Sequence, residues 1–369
     1  MRIHPIDGLL LLTMKLLKSR DRRETGLEYF RPENVRRILV VSSTAIGDTL
    51  LSTPAIRAVR ERYPTAHIIA HFNVKNMELF ENNPHIDGII PYYGGYKKFV
   101  RTIRELRRQK FDLVLIFHGN EPQATPMAYL SGARFIVKFP KSTEFSFLLS
   151  NGDQQTPGAS LHVIEKRLKL AELVGCRSSA REMVLVARQE GEAFVTQFLH
   201  GHGVGAEDLL IGFQAGASKL SRRWPSPRFI ELGKRLVAAG SRVRIIITGS
   251  PEEYGLCREI AVGIGEGAVV TAGSVPLKYL PSLVRRFRVL ITGDTGILHM
   301  AIAVGIPVVA LFVPSAPEDT GPLYDLHRHV VIRKDAPCHP CDAYRCESPF
   351  CMELITVDEV FDAVRKFLP

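Results

Sequence analysis

The chain has 369 residues, more than one ordinary hydrophobic core takes up, because single cores stop growing at roughly 250–300 residues; two domains are expected. An apolar fraction of 46%, a charged fraction of 23% and 29 glycines describe a packed globular protein and exclude a disordered, collagen-like or disulfide-dense chain. With 48 Lys and Arg against 38 Asp and Glu the net charge is +10, which asks for an anionic partner: nucleic acid, a phosphorylated substrate or an acidic membrane face. Aromatic residues are ordinary at 8% and no RNA- or DNA-binding motif is present, so no nucleic-acid partner is expected.

The first element is Ile6 to Leu17, the most apolar stretch near the start. Asp7 and Lys15 interrupt it, no small-residue cleavage site follows, and no apolar run in the chain reaches the roughly 18 residues of a spanning helix. With Lys18, Arg20, Arg22 and Arg23 close behind, it reads either as an interfacial helix on acidic lipid or as a helix packed on the protein's own body. From residue 37 the pattern becomes strand, turn, helix. Arg37 to Val41 is a short β-rich run, Ser42 to Asp48 a turn, and a helix follows to Arg62. Further strands are expected at His67 to Phe72, Gly88 to Tyr92 and Asp112 to Phe117, with a basic helix from Tyr96 to Lys110 between the last two. The stretch from Lys141 to Thr156 has no periodicity, and His162 to Val174 reads as a helix. A second βα series starts at Leu209 and runs through strands at Val243 to Thr248, Val269-Val270, Val289 to Thr292 and Val308 to Phe312. Its helices are expected at Arg228 to Ala239, Glu252 to Ile264, Leu277 to Phe287 and Gly296 to Val304. A last helix, Thr356 to Leu368, opens on a Thr N-cap and has no domain assigned to it. Such alternation predicts an α/β chain of two doubly wound parallel sheets, with a cleft between the carboxyl ends of the strands.

Three turns carry chemistry-bearing residues. The turn after the first strand is neither GxGxxG nor a Walker loop, yet it puts Asp48 beside a helix start, where a carboxylate serves as a helix cap or as a general base. In the second half, Phe213 to Ser218 ends a strand, and Lys219, Arg222 and Arg223 precede Trp224-Pro225; small residues and cations suit a diphosphate, although a solvated basic loop has the same composition. The third is Ile291-Thr292-Gly293-Asp294-Thr295-Gly296-Ile297-Leu298-His299, a strand end and a helix start whose amides favour an anion. Finally, Cys338, Cys341, Cys346 and Cys351 are close enough in sequence to converge on a structural zinc ion or an iron-sulfur cluster, though the spacing matches neither paired zinc knuckles nor a ferredoxin run. Reduced thiols are the other reading, and cysteine usage fits the cytosol.

At these three turns the sequence resembles the heptosyltransferases of glycosyltransferase family 9. The resemblance runs from about residue 37 to the end through RRILVVSSTAIGDTLLSTPAIRAVRERYP, DLVLIFHGN, LSGARF, GASKLSRRWP, ITGSPEE and GDTGILHMAIAVGIPVVALFVPSAPEDTGP. It implies a GT-B fold of two Rossmann-like domains and inverting transfer of heptose from ADP-L-glycero-D-manno-heptose to the lipopolysaccharide inner core, with no required metal. It places the family's base on Asp48. The basic residue ahead of Trp-Pro, often Lys in members, falls on Arg222, the ribose contact on Glu252 with Glu253 the alternative, and the donor-binding segment on Asp294, Thr295, Gly296 and His299. Lys219 joins Arg222 on the donor side.

The expected organisation is thus an extension over residues 1–36, an acceptor domain over 37–180, a donor domain over 205–355 and a terminal helix over 356–369. The partners implied are an ADP-heptose donor, a lipid A-Kdo or heptosylated inner-core acceptor and the cytoplasmic surface of the inner membrane. Two rivals remain: a family 9 enzyme using another nucleotide sugar, and a nonenzymatic metal-binding membrane scaffold built on the cysteines and the first helix. Asp48 and the Asp294-Thr295-Gly296 turn argue against the scaffold, which needs neither.

Overall fold

The computed structural model describes residues 5–119, 122–140, 143–154, 161–338, 346 and 350–369. The chain divides into two compact units, Met1–Arg181 and Glu182–Pro369. The first holds α1 (Pro5–Ser19), β1 (Arg37–Ser42), α2 (Ile46–Arg62), β2 (His67–Asn73), β3 (Gly88–Tyr92), α3 (Phe99–Gln109), β4 (Leu113–His118), α4 (Ala124–Leu130), β5 (Phe135–Val137) and α5 (Val163–Glu172). Its five strands are parallel, in the order β3-β2-β1-β4-β5. β1 and β4 are runs of Ile, Leu and Val because helices cover both faces of the sheet, leaving no polar side to alternate with. α2 packs on α5, and Tyr63, at the end of α2, donates its hydroxyl hydrogen to the carbonyl of Val174 at 2.6 Å.

The first helix has two faces with different fates. Met14 is fully buried in a cluster with Leu106, Tyr129 and Phe145, and Leu10 and Leu11 pack against it, whereas Ile6, Leu9, Leu12, Leu16 and Leu17 are exposed. The segment after it is tied down too: Arg23 Nη1 donates to the carbonyls of Gly132 and Ala133, and Phe30 meets Phe135 edge to face at 5.1 Å. No helix among the described residues is long and apolar enough to cross a membrane.

The second unit holds α6 (Gln189–Gly201), β6 (Leu209–Gln214), α7 (Ser226–Ala239), β7 (Val243–Thr248), α8 (Tyr254–Ile264), β8 (Ala268–Val270), α9 (Leu280–Val284), β9 (Phe287–Gly293), α10 (Gly296–Ala303), β10 (Val308–Phe312), α11 (Pro317–Thr320), β11 (His329–Arg333) and α12 (Val357–Arg365). Its parallel sheet has the order β11-β10-β9-β6-β7-β8. The terminal helix α12 belongs to this unit. Thr356 caps it in a box with Glu359, and Val360 and Val364 enter a core with Phe213, Trp224 and Phe229. Five of the strands and α-helices are not foreseen from the sequence pattern: the short helices α4 and α11; β5, which is only three residues long; β11, a half-exposed edge strand; and α6, whose Gly191 lets it lie close on Ser282.

In each sheet the chain reverses its winding direction once, between β1 and β4 in the first unit and between β6 and β9 in the second. The crevice at the carboxyl end of such a switch point is where open α/β sheets place ligands.

One buried histidine makes the first unit acid-sensitive. His71 in β2 is 3% exposed, and its Nδ1 donates to the carbonyl of Ile90 at 2.8 Å, while burial pushes its pKa down to about 4. The unfolded chain therefore binds one more proton than the folded one between about pH 6.5 and 4, so stability is retained above that window and lost as pH falls through it. His71→Gln, which keeps a donor without the titration, is expected to flatten the loss between pH 6.5 and 4 by up to about 3 kcal/mol, measured by urea unfolding across that range.

Candidate active site

At the carboxyl end of β1 the chain turns through Ser43 and Thr44 into α2, whose N-cap is Ala45 with no capping side chain. Asp48 sits in the first turn of the helix, where the exposed amides and the dipole favour a carboxylate. Several groups hold it. Thr44 Oγ1 donates to Asp48 Oδ2 at 2.8 Å and lies 2.7 Å from His118 Nδ1. A hydroxyl has one hydrogen, so with that hydrogen on Asp48 the imidazole Nδ1–H is the donor to Thr44, leaving Nε2 toward Asp48 Oδ1 at 3.7 Å. His118 ends β4 and Asp48 opens the helix that follows β1, so the two residues come from the two strand ends that flank the switch point.

The third partner is Arg167 on α5, with its side chain only 4% exposed. Its Nη1 donates to the Asp48 carbonyl at 2.5 Å and its Nη2 lies 3.5 Å from Asp48 Oδ1. Burial pushes the guanidinium pKa down to about 10, against the pull of Asp48, so it stays charged at neutral pH. The buried cation thus stands beside a carboxylate that is 31% exposed and so open to solvent on one side. Sequence reasoning reaches Asp48 but misses Arg167 and His118. A signal for Arg167 exists: it follows Ile164 and precedes Leu168 and Ala171 on the helix face that is buried, a core position given to a charge.

In the second unit the named residues collect at the carboxyl ends of β6, β7 and β9. Lys219 precedes and Arg222 closes a single tight turn, Leu220–Arg222, after β6. Arg222 Nη1 meets Asp294 Oδ2 at 2.9 Å and also donates to the Asp294 carbonyl at 3.2 Å. Asp294 is 7% exposed; Thr320 donates to its Oδ1 at 3.4 Å and His299 Nε2 lies 3.9 Å from it. Arg222 is thus held by a buried carboxylate at the end of the neighbouring strand. Thr295 is the N-cap of α10, but its hydroxyl lies 3.0 Å from that of Thr292 and makes no cap bond, so the first amides of the helix, at Gly296 and beyond, have no side-chain cap.

Both acidic candidates follow β7. Glu253 Oε2 accepts from the Ser250 amide at 2.9 Å in a capping box and its Oε1 lies 3.8 Å from Arg223, whereas Glu252 is exposed. The Ser250-x-x-Glu253 spacing is the sequence signature of that box. Trp224 belongs to the core: it is 3% exposed and donates Nε1–H to the Ile355 carbonyl at 3.0 Å.

The cysteine cluster divides. Cys338 is exposed, Cys346 half-buried, Cys341 lies outside the described residues, and Cys351 is buried with its thiol donating to the Ser221 carbonyl at 3.4 Å. Among the described residues no group of three or more His, Cys, Asp or Glu side chains is arranged to hold a metal ion.

Two parallel sheets, each with a polar cluster at its switch point, form two Rossmann-like units, the GT-B fold. The family model described as glycosyltransferase family 9 (heptosyltransferase) matches residues 99–350, and the chain belongs to that family. It is 26% identical to lipopolysaccharide heptosyltransferase 2 of Salmonella typhimurium over 316 residues, 80% of this chain and 88% of the relative. It is also 30% identical to lipopolysaccharide heptosyltransferase 1 of Pseudomonas aeruginosa over 332 residues, 84% and 87% of the two chains. Among solved structures, the E. coli ADP-heptose lps heptosyltransferase II superposes with a TM-score of 0.74 at 21% identity, over 90% of this chain and 98% of that one. The protein is therefore a glycosyltransferase.

Arg222 depends on a glycine next door. A Cβ at Gly293 would stand 2.6 Å from the Arg222 carbonyl oxygen, a backbone atom that moves only with its turn. Gly293→Ala is expected to lower stability by about 1–3 kcal/mol, seen as a fall in melting temperature, because the turn that carries Arg222 must shift.

Proposed function

We propose that the chain is an inverting heptosyltransferase that moves heptose from ADP-L-glycero-D-manno-heptose to the inner core of lipopolysaccharide, on a lipid-anchored acceptor at the cytoplasmic face of the inner membrane. The observation that carries this reading is Asp48, a part-exposed carboxylate whose Oδ1 lies 3.5 Å from the buried guanidinium of Arg167 at the switch point of the first sheet, in a chain of this family. Asp48 removes the proton from an acceptor hydroxyl, whose oxygen attacks the anomeric carbon as the bond to ADP breaks on the opposite face. The proton ends on Asp48 and the configuration inverts. Thr44 and His118 fix the carboxylate so that its approach to the hydroxyl is set before substrate arrives.

The second unit takes the charge of the departing ADP. Arg222, oriented by Asp294, Lys219 and the open amides at the start of α10 supply positive charge and donors to the diphosphate, with Thr295 and Gly296 shaping that helix start and His299 bracing Asp294. Exposed Glu252 is assigned to the donor ribose, with Glu253 the alternative. With cations and amides in these roles the reaction requires no divalent metal.

The test is a donor screen with purified protein and a lipid A-Kdo acceptor, comparing ADP-heptose with other nucleotide sugars and following nucleotide release. Turnover with ADP-heptose that survives EDTA supports the reading; preference for another sugar nucleotide keeps the family but replaces the donor, and activity restored only by Mg²⁺ removes the metal-free step.

Asp48→Asn is expected to lower turnover on the order of 100-fold or more while ADP affinity by calorimetry stays within error. Arg167→Met removes the cation that favours the carboxylate, so the acidic limb of the kcat/KM profile should move to higher pH, and Arg167→Lys should move it less. Turnover of Asp48→Asn at the wild-type rate would exclude it as the base.

A further inference from the structure

The outer face of α1 is unusual for a protein surface. Leu9 and Leu12 are 66% and 67% exposed and Leu16 is 51% exposed, all on a helix whose other side is buried in the core of the first unit. Beside it runs α3, and between the two helices lies an open apolar groove of about 530 Å³, walled by Leu9, Leu10 and Leu17 on one side and Phe99, Val100 and Ile103 on the other. The helices are fastened at one end, where Tyr96 donates its hydroxyl hydrogen to Asp7 Oδ1 at 2.5 Å.

Charge surrounds this apolar strip on one side. Lys97, Lys98, Arg101, Arg104, Arg107 and Arg108 are all exposed, and within that run only Glu105 is acidic. Arg104 and Arg107 also line the groove itself, so guanidinium groups stand at the edge of apolar side chains. Lys15 adds an exposed cation on α1.

We propose that α1 and α3 form one docking surface for an anionic phospholipid membrane. The α1 leucines enter the boundary between head groups and acyl chains, the groove accepts part of an acyl chain, and the α3 cations pair with the phosphates. Apolar area alone binds weakly, but each Lys or Arg near an acidic leaflet adds a further several-fold to partitioning, so the two features act together. A second copy of the chain is the poorer occupant, because a two-fold contact would bring two such cationic helices face to face. The surface goes beyond the transferase reading and is tested by binding alone, so its failure leaves that reading untouched.

The experiment is cosedimentation of the full chain with phosphatidylcholine vesicles, with and without phosphatidylglycerol, over a range of salt. The wild type is expected to sediment with the anionic vesicles at low salt and to be released as salt rises. Arg101→Glu/Arg104→Glu/Arg108→Glu should reduce partitioning on the order of 100-fold or more, and Leu9→Ser/Leu12→Ser/Leu16→Ser should abolish it at intermediate salt. The charge variant decides should the leucine variant lose its fold by circular dichroism, since its exposed side chains are outside the core. Lys234→Glu/Arg258→Glu, exposed cations of the second unit, should leave binding unchanged. Absence of wild-type binding to anionic vesicles, an equal loss in the Lys234 and Arg258 control, or a leucine-dependent dimer in sedimentation velocity without vesicle binding would each overturn the proposal.

Discussion

A parallel strand covered on both faces by helices has one place to meet polar chemistry, its carboxyl end, where the chain leaves the sheet. Both units obey this constraint. In the first, the turn after β1 leads to Asp48 at the start of α2 and β4 ends on His118; in the second, Arg222, Glu253 and Asp294 follow the ends of β6, β7 and β9. The polar clusters therefore follow from burial of the sheets and from the single reversal in each winding order.

Within each cluster the same solution recurs: a carboxylate and a guanidinium meet with one partner buried and the other in partial contact with solvent. Arg167 is the buried member beside Asp48, and Asp294 is the buried member beside Arg222. A buried charge of this kind is tolerable only with its counterion in place, so each pair holds its exposed partner in position. That asymmetry separates the groups that face solvent from the groups that hold them.

The strand and helix pattern was legible because short apolar runs of five to seven residues, each bounded by turn residues, are the mark of strands buried on both faces, and α2, β4, β7 and α10 lie within a few residues of their expected places. The Asp48 and Asp294 turns were legible for the same reason, being polar insertions at strand ends. What escaped was long-range. Arg167 is 119 residues from Asp48, and only the fold shows that α5 lays its one buried charge under the α2 start. Asp294 and Arg222 read separately as two donor contacts, while the structure joins them in one ion pair. β11 escaped because an edge strand lacks the continuous apolar run of its inner neighbours.

The chain's only tryptophan is Trp224, locked in the core of the second unit by its bond to Ile355. Intrinsic indole fluorescence consequently reports one half of the molecule. During stepwise denaturation its red shift marks the moment water reaches the second sheet, while loss of the first unit, which contains tyrosines such as Tyr63 and Tyr92 but no indole, is optically silent at that wavelength. The two halves of this enzyme are spectroscopically labelled by the placement of a single side chain, and comparing indole emission with far-ultraviolet ellipticity resolves whether they melt as one cooperative body or in succession.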